Sequence, residues 1–194
     1  MGMKEYHKIQ SVFKRDERGK FIIGEWSTPE IEYLKNNQWV WTEKVDGTNI
    51  RVMWDNDSRT VRFGGKTDNA QIPVPLFNRL TDTFPKEKFS EYPSLCLYGE
   101  GYGAKIQKGG GNYKSDGVDF VLFDVNIGGW WLQREAVEGI AESIGIALVP
   151  VRAKGTIQEA IEYTVNGFKS VWGDFIAEGL VLRPSVGLFA RNGG

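Results

Sequence analysis

One cysteine, Cys96, and one histidine, His7, are all that the 194 residues hold of either type. A lone cysteine closes no intramolecular disulfide and founds no cysteine-based zinc site, so a reducing cytoplasm is the expected setting. A lone histidine excludes multi-histidine metal centres and serine-type triads. His7 is expected on the surface, and Cys96, within SLCLYG, as a small buried hydrophobe. No apolar run approaches the length of a membrane span, and the polar start MGMKEYHKIQ has no signal-peptide core. Formal net charge is -1, so no global basic field announces nucleic acid, although local patches can still do the binding. Repeats, low-complexity tracts and linkers are missing too, and one domain is expected over residues 1–194.

What is present is an apolar content of 41%, enough to build a core in a chain of this length. FIIGEW (21–26) reads as a strand, and STPEIEYLKNN as a short helix with Ser27 or Thr28 at its cap and Pro29 in its first turn. WVWTEKV reads as a strand, and NIRVMWD-NDSR-TVRFGG as a hairpin. LFNRLTDTF predicts a helix ended by Pro85; SLCLYGEGYG and DFVLFDVNIGGWWL predict further strands. QREAVEGIAESIGI is helical, with Ala136, Val137, Ile140, Ala141 and Ile144 on its apolar face. TIQEAIEYTVNG opens with a Thr156/Glu159 capping box and closes on Gly167, and EGLVLRPS is a last strand. Strands outnumber helices without alternating with them, which predicts an α+β fold with largely antiparallel sheets.

Nucleotide loops of the glycine-rich kind are absent. GGKT (64–67) imitates the end of a phosphate loop, but Thr60 stands where its first glycine belongs. GEGYG (99–103) lacks the dinucleotide spacing. Lysines and carboxylates remain. In WTEKVDGTNIRV (41–52), extended backbone sends Lys44 and Asp46 to one face and Glu43 and Val45 to the other. Gly47 then lets the backbone approach a ligand. A lysine amine attacks poorly at its free pKa of ~10.4, and apolar walls or neighbouring cations would activate it. Trp39, Trp41 and Trp54 are candidate walls. Alone, K-x-D-G is a common pattern that fits a solvated strand end. Further along, Glu100 and Glu178 each stand beside glycine, and Phe120 and Phe123 offer flat rings on which a base can stack. Strand alternation sends those two rings to opposite faces, so at least one belongs to the core. Carboxylate oxygens suit Mg²⁺ or Mn²⁺.

EKVDGTN, LYGEGYG, DFVLFDV and AEGLVLRP resemble, in order, motifs I, III, IIIa and IV of the covalent nucleotidyltransferases, the superfamily of ATP-dependent DNA and RNA ligases and mRNA capping enzymes. Asn49 and KIQKGGGNY (105–113) are more similar to ATP-dependent RNA ligases of the phage RNA ligase 2 type. The resemblance implies an ATP-grasp-like nucleotidyltransferase domain of antiparallel sheets and flanking helices. It implies ATP with Mg²⁺ or Mn²⁺ as cofactors, and as partners RNA ends, including those of a nicked duplex. In that reading Lys44 attacks the α-phosphate of ATP, and Asp46 and Glu178 hold or position the metal. Glu100 accepts from the ribose, Phe123 stacks on adenine, and Asn49 and Lys66, with Arg62 as second choice, bind phosphate or sugar oxygens. Glu43 and Gly47, flanking this lysine, belong to the nucleotide-binding segment.

The chain departs from the family after motif IV. No K-x-K pair follows, Lys169 precedes the motif, and only Asn192, Gly193 and Gly194 come after Arg191. The expectation is a ligase cut short before motif V, slowed in its first step by the loss of transition-state charge stabilisation. The alternatives are an ATP-dependent DNA ligase, a GTP-specific capping enzyme, and a ligase-like module that holds nucleotide or RNA without chemistry. Among lesser features, the glycines at 109–111 fit a flexible loop better than a phosphate loop. Lys105, Lys108, Lys114, Arg183 and Arg191 are candidates for RNA phosphates, and Trp130 and Trp131 are the tryptophans least tied to a core.

Overall fold

The computed structural model describes residues 5–187. In chain order the elements are β1 (Phe13–Arg15), β2 (Phe21–Trp26), α1 (Pro29–Tyr33), β3 (Trp39–Glu43), β4 (Thr48–Asp55) and β5 (Thr60–Gly64). There follow α2 (Val74–Thr83), a 3-10 turn (Lys86–Phe89), β6 (Leu95–Gly103), α3 (Gly110–Tyr113), β7 (Val118–Ile127) and β8 (Trp130–Trp131). The chain continues through α4 (Arg134–Ile144), β9 (Ala147–Leu148), β10 (Val151–Gly155), α5 (Ile157–Val165) and β11 (Leu180–Pro184). Arg191 lies outside the described residues. None of the helices among the described residues is long and apolar enough to cross a membrane.

Two compact units divide the chain. The larger holds Lys44–Pro150 and Lys169–Glu178 together with the N-terminal residues up to Tyr6. Its sheet runs β5-β4-β6-β7-β8 with every neighbour antiparallel; β9 alone pairs parallel, with β7. Strand alternation sorts the side chains. Ile50, Val52 and Trp54 of β4, Leu95 and Leu97 of β6, and Phe120, Leu122 and Val125 of β7 share one face, buried with Leu76 and Leu80 of α2 and with Val137, Ile140, Ala141 and Ile144 of α4. Ala136 stays exposed, since the buried stripe of α4 starts at Val137. The β4–β5 turn forms where Asp55 accepts from the backbone N–H groups of Asp57 and Ser58 at 3.0 and 3.2 Å, an Asx-type turn.

The smaller unit holds His7–Glu43, Val151–Phe168 and the residues from Gly179 on. β3 is the centre of a β10-β3-β11 sheet, antiparallel on both sides. Trp39 and Trp41 are buried against Ile157 and Ala160 of α5. The capping box is present: Thr156 Oγ1 accepts from the Glu159 N–H at 3.2 Å, and a Glu159 carboxylate oxygen accepts from the Thr156 N–H at 2.7 Å. β1 and β2 make a separate ribbon whose Phe21 and Ile23 stay exposed.

Candidate active site

β3 ends at Glu43, one residue short of the lysine that the sequence reading had placed inside the strand. Pairing explains the stop. Leu180 of β11 opposes Glu43, and beyond that pair neither strand continues. The chain leaving β3 and the chain entering β11 therefore run side by side, which brings Lys44 to Glu178. The Lys44 ammonium donates to a Glu178 carboxylate oxygen, and both side chains keep water access, 49% and 38% exposed. A lysine in this position is reachable by a substrate and is already oriented by a carboxylate.

Four contacts fix the backbone around it. Val45 is buried with Tyr102, Tyr113, Val121 and Val149. The Tyr113 hydroxyl donates to the Lys44 carbonyl at 3.4 Å. Asp46 accepts from the Gly109 N–H at 2.9 Å. Gly47 lies so close to β6 that a Cβ there would stand 2.3 Å from the Gly101 carbonyl oxygen and 2.8 Å from Glu100 Cγ. No other residue type fits that approach. The glycines at 109–111 are likewise not slack: a Cβ at Gly109 would stand 2.5 Å from an Asp46 carboxylate oxygen. The expectation of a plain flexible loop is corrected here, because two of these glycines serve close packing and open a single helical turn.

Asn49, Glu100 and Val121 are register partners across β4, β6 and β7, on the sheet face opposite the core. Burial pushes the Glu100 carboxyl up to about 8; Lys44 pulls it down, while the charges of Glu178 and Asp46 push it further up. The Asn49 amide oxygen is buried with no hydrogen-bond partner, an acceptor that a ligand hydroxyl would satisfy. Phe123 is half-buried on this side, whereas Phe120 is core, edge-on to Phe84. Arg62 is exposed on β5, and Lys66 is exposed in the loop that follows. Glu43, by contrast, has a fully buried side chain facing Arg152 at 3.7 Å within the smaller unit.

Other expectations need revision. Trp39, Trp41 and Trp54 do not wall the lysine: the first two are core of the smaller unit, and Trp54 stacks on Phe89 in the larger core. Lys114 is held by Asp119 at 2.8 Å, and Asp119 also accepts two hydrogen bonds from Arg79. Lys169 pairs with Asp174. Lys105 and Lys108 are exposed, as is Trp130. Cys96 is buried, its thiol pushed up to about 11 by burial.

Arg51 carries a role that the sequence reading left unassigned. It is fully buried, and its guanidinium donates to the Gly65 carbonyl at 2.9 Å and to Asp68 at 2.7 Å. Those bonds pin both sides of Lys66. Its place on the polar face of β4, two residues after Asn49, was the available signal.

Comparison with known proteins bears on the family and the fold. The RNA ligase family model matches residues 37–192. Among solved structures, Naegleria gruberi RNA ligase with PPi aligns with a TM-score of 0.67 at 20% identity, covering 92% of this chain and 58% of that one. A mutant of the same ligase with ATP and Mn gives 0.67 at 19% identity, covering 80% and 49%; a mutant in the apo state gives 0.66 at 20%, covering 80% and 48%. The chain thus spans about half the length of these structures, and their likeness shows the α+β nucleotidyltransferase fold. No curated protein matches. Because the family match runs through β3 to β11 and takes in Lys44, Asp46, Glu100, Phe123 and Glu178 together, this chain belongs to the RNA ligase family.

Proposed function

We propose that the chain is the adenylyltransferase part of an ATP-dependent RNA ligase, with Lys44 as nucleophile. The observation that carries this reading is the Lys44–Glu178 pair, half open to solvent, with Asp46 and Glu100 near enough to alter the same local field.

The Lys44 amine must shed a proton before its lone pair can attack, and the Glu178 carboxylate is the adjacent acceptor. A nitrogen–phosphorus bond then forms at the α-phosphate, the bond from that phosphorus to the bridging oxygen breaks, and pyrophosphate leaves. The resulting lysyl-AMP passes its adenylyl group to an RNA 5′-phosphate, which restores the amine. A 3′-hydroxyl next attacks the activated 5′-phosphate, AMP departs, and the strand is sealed. In this reading Glu100 and the unsatisfied Asn49 oxygen meet ribose hydroxyls, Phe123 the base, and Lys66 or Arg62 phosphate oxygens. Gly47 and Glu43 serve by backbone and packing, since Gly47 has no side chain and Glu43 turns its own toward Arg152.

Among the described residues no three His, Cys, Asp or Glu side chains converge as a metal site. The carboxylate oxygens of Glu178 and Asp46 are of the kind that binds Mg²⁺ or Mn²⁺, which takes one or two carboxylates and completes its shell with phosphate and water. Glu178 and Asp46 are the residues that would hold it. When bound, it offsets phosphate charge and steadies the leaving group. RNA ends are the expected second substrate, with exposed Lys105 and Lys108 as phosphate contacts.

The test is intact-mass spectrometry of the chain with ATP and Mg²⁺ or Mn²⁺, beside Lys44→Ala. A gain of one AMP that the variant lacks is the expected outcome. RNA binding that survives Lys44→Ala, with no adduct on the native chain, overturns the enzymatic reading in favour of a binding module.

A further inference from the structure

Phe123 stands at an irregularity in β7. Tyr98 opposes Asp124 and the next residue, Gly99, opposes Leu122, so Phe123 has no register partner. A bulge of this kind re-aims a side chain and leaves the ladder locally unpaired. Strand pairing therefore does not set the direction of the Phe123 ring, and something else must.

Tyr6 meets the irregularity from 117 residues away in sequence. Its ring lies 5.0 Å from Phe123, edge to face, 5.2 Å from Tyr98 and 5.6 Å from Trp131, centroid to centroid. Its hydroxyl donates to Asp124, whose carboxylate is 1% exposed, at 2.5 Å. One side chain thus grips both residues at the bulge, Phe123 through its ring and Asp124 through its hydroxyl. Tyr98, the register partner of Asp124, lies against the same ring.

We propose that Tyr6 is a positioning residue for nucleotide binding, holding the Phe123 ring in the orientation that accepts the base. This rests on the reading of Phe123 as the base platform. Stacking is favourable only where two flat faces meet in parallel, so a platform free to turn loses part of the contact. The contribution acts through the base, because Tyr6 touches the ring and the bulge. Asp124 is a positioning partner of the same kind, receiving the hydroxyl rather than the ligand.

A pair of ligands isolates the effect. Calorimetry with Mg²⁺ compares α,β-methylene-ATP, which cannot transfer its adenylyl group, with tripolyphosphate, which has no base. Tyr6→Ala is expected to weaken the methylene analogue about fivefold to tenfold and to leave tripolyphosphate unchanged. Tyr6→Phe, which keeps the ring and loses the hydrogen bond, is expected to fall between wild type and Tyr6→Ala. In a Phe123→Ala background, Tyr6→Ala is expected to add no further loss. Unchanged binding of the analogue, equal losses for both ligands, or a full loss persisting without Phe123 each overturn the inference alone. A wild-type chain that takes neither ligand overturns the nucleotide reading and this inference with it.

Discussion

The two faces of the six-stranded sheet share the same strands and obey opposite rules. On one, Ile50, Val52, Leu97, Leu122 and Val125 are wholly buried apolar side chains, and helices cover them. On the other, one residue along in each strand, come Asn49, Arg51, Tyr98, Glu100 and Asp124. The first face tolerates no polar group; the second buries several and leaves the Asn49 oxygen unsatisfied and the Glu100 carboxyl displaced to about 8. Core packing favours the fold at every position, whereas the polar face carries two groups that burial penalises, the Asn49 oxygen and the Glu100 carboxyl.

Truncating the apolar face should cost the most. Leu122→Ala is expected to remove about 2–5 kcal/mol of stability, read as a fall in Tm of roughly 5–15 °C. Lys44→Ala, on a half-exposed side chain, should leave Tm within about a degree while abolishing adduct formation. A large fall in Tm for Lys44→Ala would break the contrast between the faces.

Glu100→Gln tests the polar face from the other direction. Its carboxyl holds a proton up to about pH 8 in the folded chain, against an ordinary value of 4.5. Between those values the unfolded chain has released the proton that the folded chain keeps. Stability therefore falls as pH rises through that window. Glutamine mimics the neutral acid, so the variant should match wild type near pH 5 and exceed its Tm by roughly 10 °C at pH 8.5. Equal Tm differences at both pH values would show that Glu100 is not held neutral. The smallest effect belongs to neither face: Thr156→Ala breaks the α5 capping box and should cost about 1 kcal/mol with no change in adduct formation.

Local rules made much of this legible from the sequence. The capping box at Thr156, the β4–β5 hairpin and the stripe from Val137 to Ile144 each declare themselves within a dozen residues. The RNA ligase family was legible as an ordered set of motifs around Lys44, Glu100, Phe123 and Glu178. What the sequence did not reveal depends on contacts between distant segments. Arg51 reads as one more charge on a strand until the Gly65–Asp68 loop folds over it. The tryptophans near Lys44 in sequence pack elsewhere because strand alternation and burial, not proximity along the chain, assign their neighbours. Tyr6 offered no local signal of this contact, since Tyr98, Phe123 and Trp131 stand more than 90 residues later.

The approach of Gly47 to the Gly101 carbonyl has a meaning for how such a site can diversify. Three residues after Lys44 the chain comes so close to β6 that no Cβ fits between them. This close approach makes no demand on the side chains at Asn49, Lys66 or Phe123. Under the proposed roles, exchanging those side chains should alter the base or phosphate contact while Lys44 keeps its place. Reprogramming the nucleotide should then need changes at those side chains, whereas at Gly47 any added Cβ would meet the Gly101 carbonyl.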